Sequence, residues 1–121
     1  MVISLIGVGK MGSALARGLL RAGIDKDELV LYDKNPLALE PFRDRTYIAA
    51  NKEETVGKAD VVIFAVKPKE LPSLLEEMAG LLEDKISISI AASVPLKELR
   101  KSPSIWVRAM PNIACEVGQG F

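Results

Sequence analysis

Apolar positions along this chain alternate between short β-branched runs and longer stretches with helical spacing. Residues 2–6 (Val2, Ile3, Leu5 and Ile6 apolar) read as a first strand. Residues 11–22 place Met11, Ala14, Leu15, Leu19 and Ala22 on one helical face, and Gly23 stands where such a helix ends. Residues 29–32 form a second strand pattern, stopped by Asp33-Lys34-Asn35-Pro36, and residues 36–43 a short helix with Pro36 in its first turn. Residues 47–50 read as a third strand. Asn51 followed by Glu54 has the form of a capping box opening a brief helix, which Gly57 breaks. Residues 61–66 are apolar without interruption, the mark of a central parallel strand buried on both faces. Pro68 starts a helix carrying Leu71, Leu74, Leu75, Met78, Leu81 and Leu82. Residues 86–90 read as a fifth strand, 95–101 as a short helix and 105–109 as a sixth strand. This order predicts an α/β fold, a doubly wound parallel sheet with the first strand central, helices on both faces and right-handed crossovers.

The first strand runs into Gly7-Val8-Gly9-Lys10-Met11-Gly12, and a helix pattern follows at once. Strand, glycine turn and helix are the setting in which G-x-G-x-x-G acts as a dinucleotide fingerprint. Gly7 permits a tight turn, Gly9 lets backbone N–H groups approach a pyrophosphate, and Gly12 lets the helix lie close to the strand. The positive end of the helix then faces the phosphates.

In doubly wound sheets, ligands bind beyond the carboxyl ends of the strands. Those ends carry Gly7 to Met11, then Asp33, Lys34 and Asn35, then Lys67 and Pro68, then Ala91, Ala92 and Ser93, and last Met110, Pro111 and Asn112. Asp33 stands about 20 residues past the glycine turn, where a carboxylate accepts from an adenine ribose. Lys34 beside it is a cation suited to a 2′-phosphate, so charge alone leaves NAD and NADP both open. Read as structure only, Asp33 to Pro36 is a solvated turn and Lys67 a snorkelling surface lysine.

Composition narrows the field. The chain has 121 residues, enough for one domain with a real core. Sixteen basic residues balance sixteen acidic ones, which leaves no basic excess for nucleic acid. There is no histidine, so an imidazole base or an imidazole zinc site is excluded, and no metal site is expected. The longest apolar runs are too short to span a bilayer, and no signal peptide is expected ahead of the first strand. A single cysteine, Cys115, excludes an intrachain disulfide and suits a reducing cytoplasm.

Together, the glycine turn, Val66-Lys67-Pro68, Ser89-Ile90-Ala91-Ala92-Ser93-Val94 and Arg108-Ala109-Met110-Pro111-Asn112 resemble Δ1-pyrroline-5-carboxylate reductases, in order and spacing, over the whole chain. The resemblance implies a Rossmann-type NAD(P)-binding domain over residues 1–121, with 110–121 a loop leading to a second domain. On this resemblance the family's C-terminal helical dimerisation domain is expected to be absent after Phe121. It implies NADPH as cofactor, with NADH possible, and reduction of the small-molecule substrate pyrroline-5-carboxylate to L-proline, the last step of proline biosynthesis. The chain alone would be inactive as an enzyme, and the full-length parent a homo-oligomer. Gly7, Gly9, Lys10, Met11 and Gly12 would hold the pyrophosphate, with Ile6 and Val8 also binding the cofactor, and Asp33, Lys34 and Asn35 would take the adenosine ribose or its phosphate. Asn51 matches a family asparagine on the adenosine side with a one-residue offset. Ala65, Val66, Lys67, Pro68, Ala91 and Ala92 would line the nicotinamide-ribose half, with Met110, Pro111 and Asn112 at the nicotinamide face. The chain departs from the family at Ser93 to Pro95 and at Ile113, Ala114 and Cys115, where a threonine and a proline are usual. Two other readings stand beside this one: an NAD(P)-binding sensor or regulatory module without catalysis, and the cofactor domain of another small-substrate dehydrogenase.

Overall fold

Six strands, all paired in parallel, lie in the order β3-β2-β1-β4-β5-β6. They are β1 (Ile3–Ile6), β2 (Leu29–Tyr32), β3 (Tyr47–Ile48), β4 (Val61–Phe64), β5 (Ile86–Ser89) and β6 (Ile105–Arg108). The computed structural model describes residues 1–83 and 85–90 and the backbone of 105–108. The expected helix over 95–101 lies outside these residues. The helices are α1 (Lys10–Arg21), α2 (Pro36–Leu39), α3 (Lys52–Lys58) and α4 (Leu71–Met78). One-turn 3₁₀ segments follow α2 and flank α4 on both sides.

The sheet separates its side chains with period two. On one face Ile6, Val62 and Phe64 pack with Leu71, Leu74, Leu75, Met78 and Leu82 from α4 and the turn after it. On the other, Leu5, Leu29, Leu31 and Ile63 pack with Leu15 and Ala16 of α1 and with Leu39 and Phe42. Consecutive β1 and β4 residues thus serve opposite layers, and this is why β4 reads as an unbroken apolar run and β1 as one broken only by Ser4, whose buried hydroxyl donates to the Thr55 carbonyl at 2.6 Å. The strand order reverses at β1, which pairs with β2 on one side and β4 on the other.

Three local expectations need correction. The apolar face of α1 is rotated from the one that hydropathy suggests. Its buried residues are Gly12, Ala14, Leu15, Ala16 and Gly18, while Met11 is 44% exposed and Ala22 is also exposed. Small residues are buried because the helix lies close to the sheet. Gly57 does not break α3, which continues to Lys58. An exposed glycine inside a helix costs only about 1 kcal/mol, less than tertiary packing supplies. Leu81, expected with Leu82 on the apolar face, is exposed at the end of a 3₁₀ turn, and only Leu82 of the two lies in the core. A 3₁₀ turn advances three residues per turn and so shifts the face that an α-helical count assigns.

The cap of α3 also differs from a capping box. Asn51 Oδ1 accepts the Glu54 backbone N–H at 2.8 Å, but the Glu54 carboxylate reaches past Asn51 to the N–H of Ala50 at 2.7 Å. Its other oxygen accepts the Tyr47 hydroxyl at 2.8 Å. These bonds, that from Ala50 foremost, hold the Glu54 carboxyl below its ordinary value of 4.5. A carboxyl with a lowered folded pKa contributes stability that is complete above its unfolded pKa and is lost as pH falls through the folded one. The thermal midpoints of the parent and Glu54→Gln should therefore differ most at neutral pH and converge in acid. Midpoints separated by a constant gap from pH 7 to pH 3 would refute this assignment.

Candidate functional site

A cleft of about 740 Å³ opens at the carboxyl edge of the sheet, where the strand order reverses. Its floor is the β1 end and the glycine turn, with Ile6, Gly7 and Gly9 lining it. Tyr32, Asp33, Lys34 and Asn35 form one side. Ala65, Val66 and Lys67, with the polar face of α4, form the other. A volume of this size falls in the range of small-molecule and cofactor sites.

The turn is held from several directions. The Gly7 N–H donates to the Tyr32 carbonyl at 2.9 Å, and the Ala65 N–H donates to the Ile6 carbonyl at 2.8 Å. Asp33 braces it through its side chain, accepting from the Val8 N–H at 2.7 Å and from the Asn35 N–H at 2.8 Å. Gly7 has φ +96°, and a Cβ there would sit 2.6 Å from the Ala65 carbonyl oxygen. A Cβ on Gly12 would run into the Gly7 carbonyl oxygen. Both glycines are demanded by the fold itself.

Gly9 is different. Its backbone is extended with φ −80°, and a Cβ built on it meets nothing within 4 Å. Neither torsion nor packing requires glycine here, yet Gly9 lines the cleft as the N-cap of α1. No side chain caps this end of the helix, and its first turn holds no acidic residue. Free N–H groups and the positive helix end therefore face a backbone kept bare of side chain. A phosphate fits that arrangement.

Charge in the cleft is mixed and largely paired. Lys34 Nζ lies 3.1 Å from Glu70, and Lys52 Nζ lies 2.7 Å from Glu77. The bond to Glu77 raises the pKa of Lys52 above its ordinary value. Lys67 and Lys69 also line the cleft and have no ion-pair partner among the described residues.

Of the residues expected from the sequence, Ile6, Gly7, Gly9, Asp33, Lys34, Asn35, Ala65, Val66 and Lys67 share this cleft. Val8 and Gly12 are buried beneath it, and Lys10, Met11 and Pro68 are exposed but off its lining. Asn51 serves as the cap of α3 and also lies off the lining. Ala91, Ala92, Met110, Pro111 and Asn112, with the departures at 93–95 and 113–115, lie outside the described residues. Sequence reasoning missed Tyr32, Ala38, Lys52, Lys69, Glu70, Ser73, Leu74 and Glu77. Glu70, Ser73 and Glu77 follow an i, i+3, i+7 spacing, a polar stripe readable from the chain. Lys52 stands just past the third strand and was open to the same strand-end rule.

The parallel six-stranded sheet, the reversal at β1 and the glycine turn into α1 define a doubly wound domain of the Rossmann, NAD(P)-binding type. Residues 2–93 match the family described as NADP oxidoreductase, coenzyme F420-dependent, and the chain belongs to it. The chain is 36% identical over 124 residues to the pyrroline-5-carboxylate reductase of Methanosarcina acetivorans, a match covering 97% of this chain and 46% of that protein. A Plasmodium falciparum pyrroline carboxylate reductase, solved with NADP bound, superposes with a TM-score of 0.83 at 30% identity, covering 99% of this chain and 45% of that one. The pyrroline-5-carboxylate reductase of Coxiella burnetii gives a TM-score of 0.87 at 29% identity, covering 95% and 45%. The resemblance read from the motifs is thus shown at the level of the cofactor-binding half. The chain spans just under half the length of the relatives it matches. No helix among the described residues is long and apolar enough to cross a membrane.

Proposed function

We propose that this chain is the NADPH-binding half of a reductase that converts Δ1-pyrroline-5-carboxylate to L-proline. The observation that carries the reading is Gly9, a glycine in the cleft that the fold does not need. The similarity to pyrroline-5-carboxylate reductases supports the substrate. When bound, the dinucleotide supplies the hydride, which a cyclic imine carbon accepts.

The protein's share of the work is placement and exclusion of water. Backbone N–H groups of residues 9–12 and the α1 end hold the pyrophosphate. Asp33 fixes the turn through Val8, and Lys34 with Asn35 receives the ribose or its phosphate. Ala65, Val66 and Lys67 form the facing edge, and Pro68, off the lining, is assigned to it on the motif resemblance. We assign Ala91, Ala92, Met110, Pro111 and Asn112 to the nicotinamide side on the motif resemblance alone, and Asn51 to the adenosine side on the same ground. The full-length protein acts as a homo-oligomer in the cytoplasm, a reading supported by the family resemblance and by the single cysteine.

Calorimetric titration of the 121-residue chain tests the cofactor assignment. NADPH is expected to bind saturably and NADH more weakly, with little reductase turnover, because the chain spans under half of the relatives' length. Absence of saturable binding of either dinucleotide up to about 1 mM would overturn the reading.

A further inference from the structure

Two acidic side chains of the α4 side, Glu70 and Glu77, pair with lysines that line the cleft, and the pair that joins its two sides, Glu70 with Lys34, bears on cofactor choice. Lys34 is 78% exposed and follows β2, while Glu70 is 34% exposed and ends the turn before α4. Their 3.1 Å contact spans 36 residues of sequence and both sides of the opening. Asp33, the acid next to Lys34, is already engaged, since each carboxylate oxygen accepts a backbone N–H. Of the two charged groups after β2, Lys34 is therefore the one free to turn toward a ligand.

We infer that Glu70 is a specificity-determining residue, holding Lys34 across the cleft and competing with the 2′-phosphate of NADPH for its ammonium group. This inference rests on the cofactor reading above. A 2′-phosphate carries up to two negative charges and three acceptor oxygens, so it outcompetes a single carboxylate for one ammonium. An exposed ion pair is weak enough to be exchanged in this way. Glu70 thus sets a penalty on the phosphorylated cofactor alone. The penalty is the cost of parting Lys34 from its partner before its ammonium group can receive the phosphate. NADH has no 2′-phosphate and does not meet it.

The test is a double-mutant cycle on Glu70 and Lys34, read as dissociation constants for NADPH and NADH. Glu70→Gln is expected to tighten NADPH about three- to five-fold and to leave NADH within about two-fold, the upper end of the scale of one exposed charge pair. Lys34→Ala is expected to weaken NADPH selectively. In the Lys34→Ala background, Glu70→Gln should change NADPH affinity by less than about two-fold. Both positions are partly or fully exposed, and unchanged thermal midpoints would verify that the variants fold. A Glu70→Gln protein that binds both cofactors with the parental ratio overturns the inference and leaves the cofactor reading intact. So does a full Glu70→Gln gain in the absence of Lys34. An unaltered chain that binds neither dinucleotide overturns both.

Discussion

Replacing Gly9 by valine should weaken binding of NADPH and NADH alike, by at least about 100-fold, in a protein that remains folded. The side chain has room, since nothing lies within 4 Å of a Cβ at this position, and the backbone is extended. Valine is a poorer N-cap than glycine, so a fall of a few degrees in thermal midpoint is expected from that alone. The loss of binding has a separate cause. A branched side chain would occupy the approach to the N–H groups at the start of α1, where the pyrophosphate has to come close. Its effect is therefore independent of the 2′-phosphate, unlike that of Glu70→Gln. Titration of both cofactors, with circular dichroism and a melting curve, separates the outcomes. A folded Gly9→Val protein with parental affinity would remove the pyrophosphate from this end of the cleft.

The two central strands show how much of the fold was readable from the chain. β1 and β4 are buried on both faces, so β4 is continuously apolar and β1 apolar apart from the hydrogen-bonded Ser4, and the glycine turn marks where the first strand stops. Those features alone fix the reversal point of the sheet and so the position of the cleft. Errors arose where the local backbone departs from an α-helical count. The 3₁₀ turn after α4 moved Leu81 out, while Leu82 stayed in the core as expected. Close helix–sheet packing buried Gly12 and Gly18 in place of the larger Met11. The strand ends gave the floor and much of both walls of the site, because topology brings them to one edge. The α4 wall was not found that way, since Glu70, Ser73 and Glu77 belong to a helix face that meets the cleft only after folding. Asp33 was legible as a site residue. That its two oxygens serve the Val8 and Asn35 N–H groups follows from the geometry of the turn, which residue type does not encode.

Gly12→Ala is expected to do the reverse of Gly9→Val, damaging the fold first and binding only in consequence. The added methyl would collide with the carbonyl oxygen of Gly7, and that carbonyl has nowhere to go. Gly7 is pinned by its N–H bond to Tyr32 and by the Ala65 carbonyl at its side, and it already holds a positive φ. Relief requires α1 to lift from β1, which would open the layer where Leu15 and Ala16 pack against Leu5, Leu29 and Leu31. Overpacking of a rigid contact costs about 1–3 kcal/mol, and collision with backbone puts this case at the upper end. The thermal midpoint should fall on the order of 10 °C. Chemical denaturation of the two glycine variants beside the parent makes the comparison direct. A Gly12→Ala chain as stable as the parent would mean that the helix and turn can separate freely. In that case the close approach of α1 to β1 would not be what requires glycine at position 12.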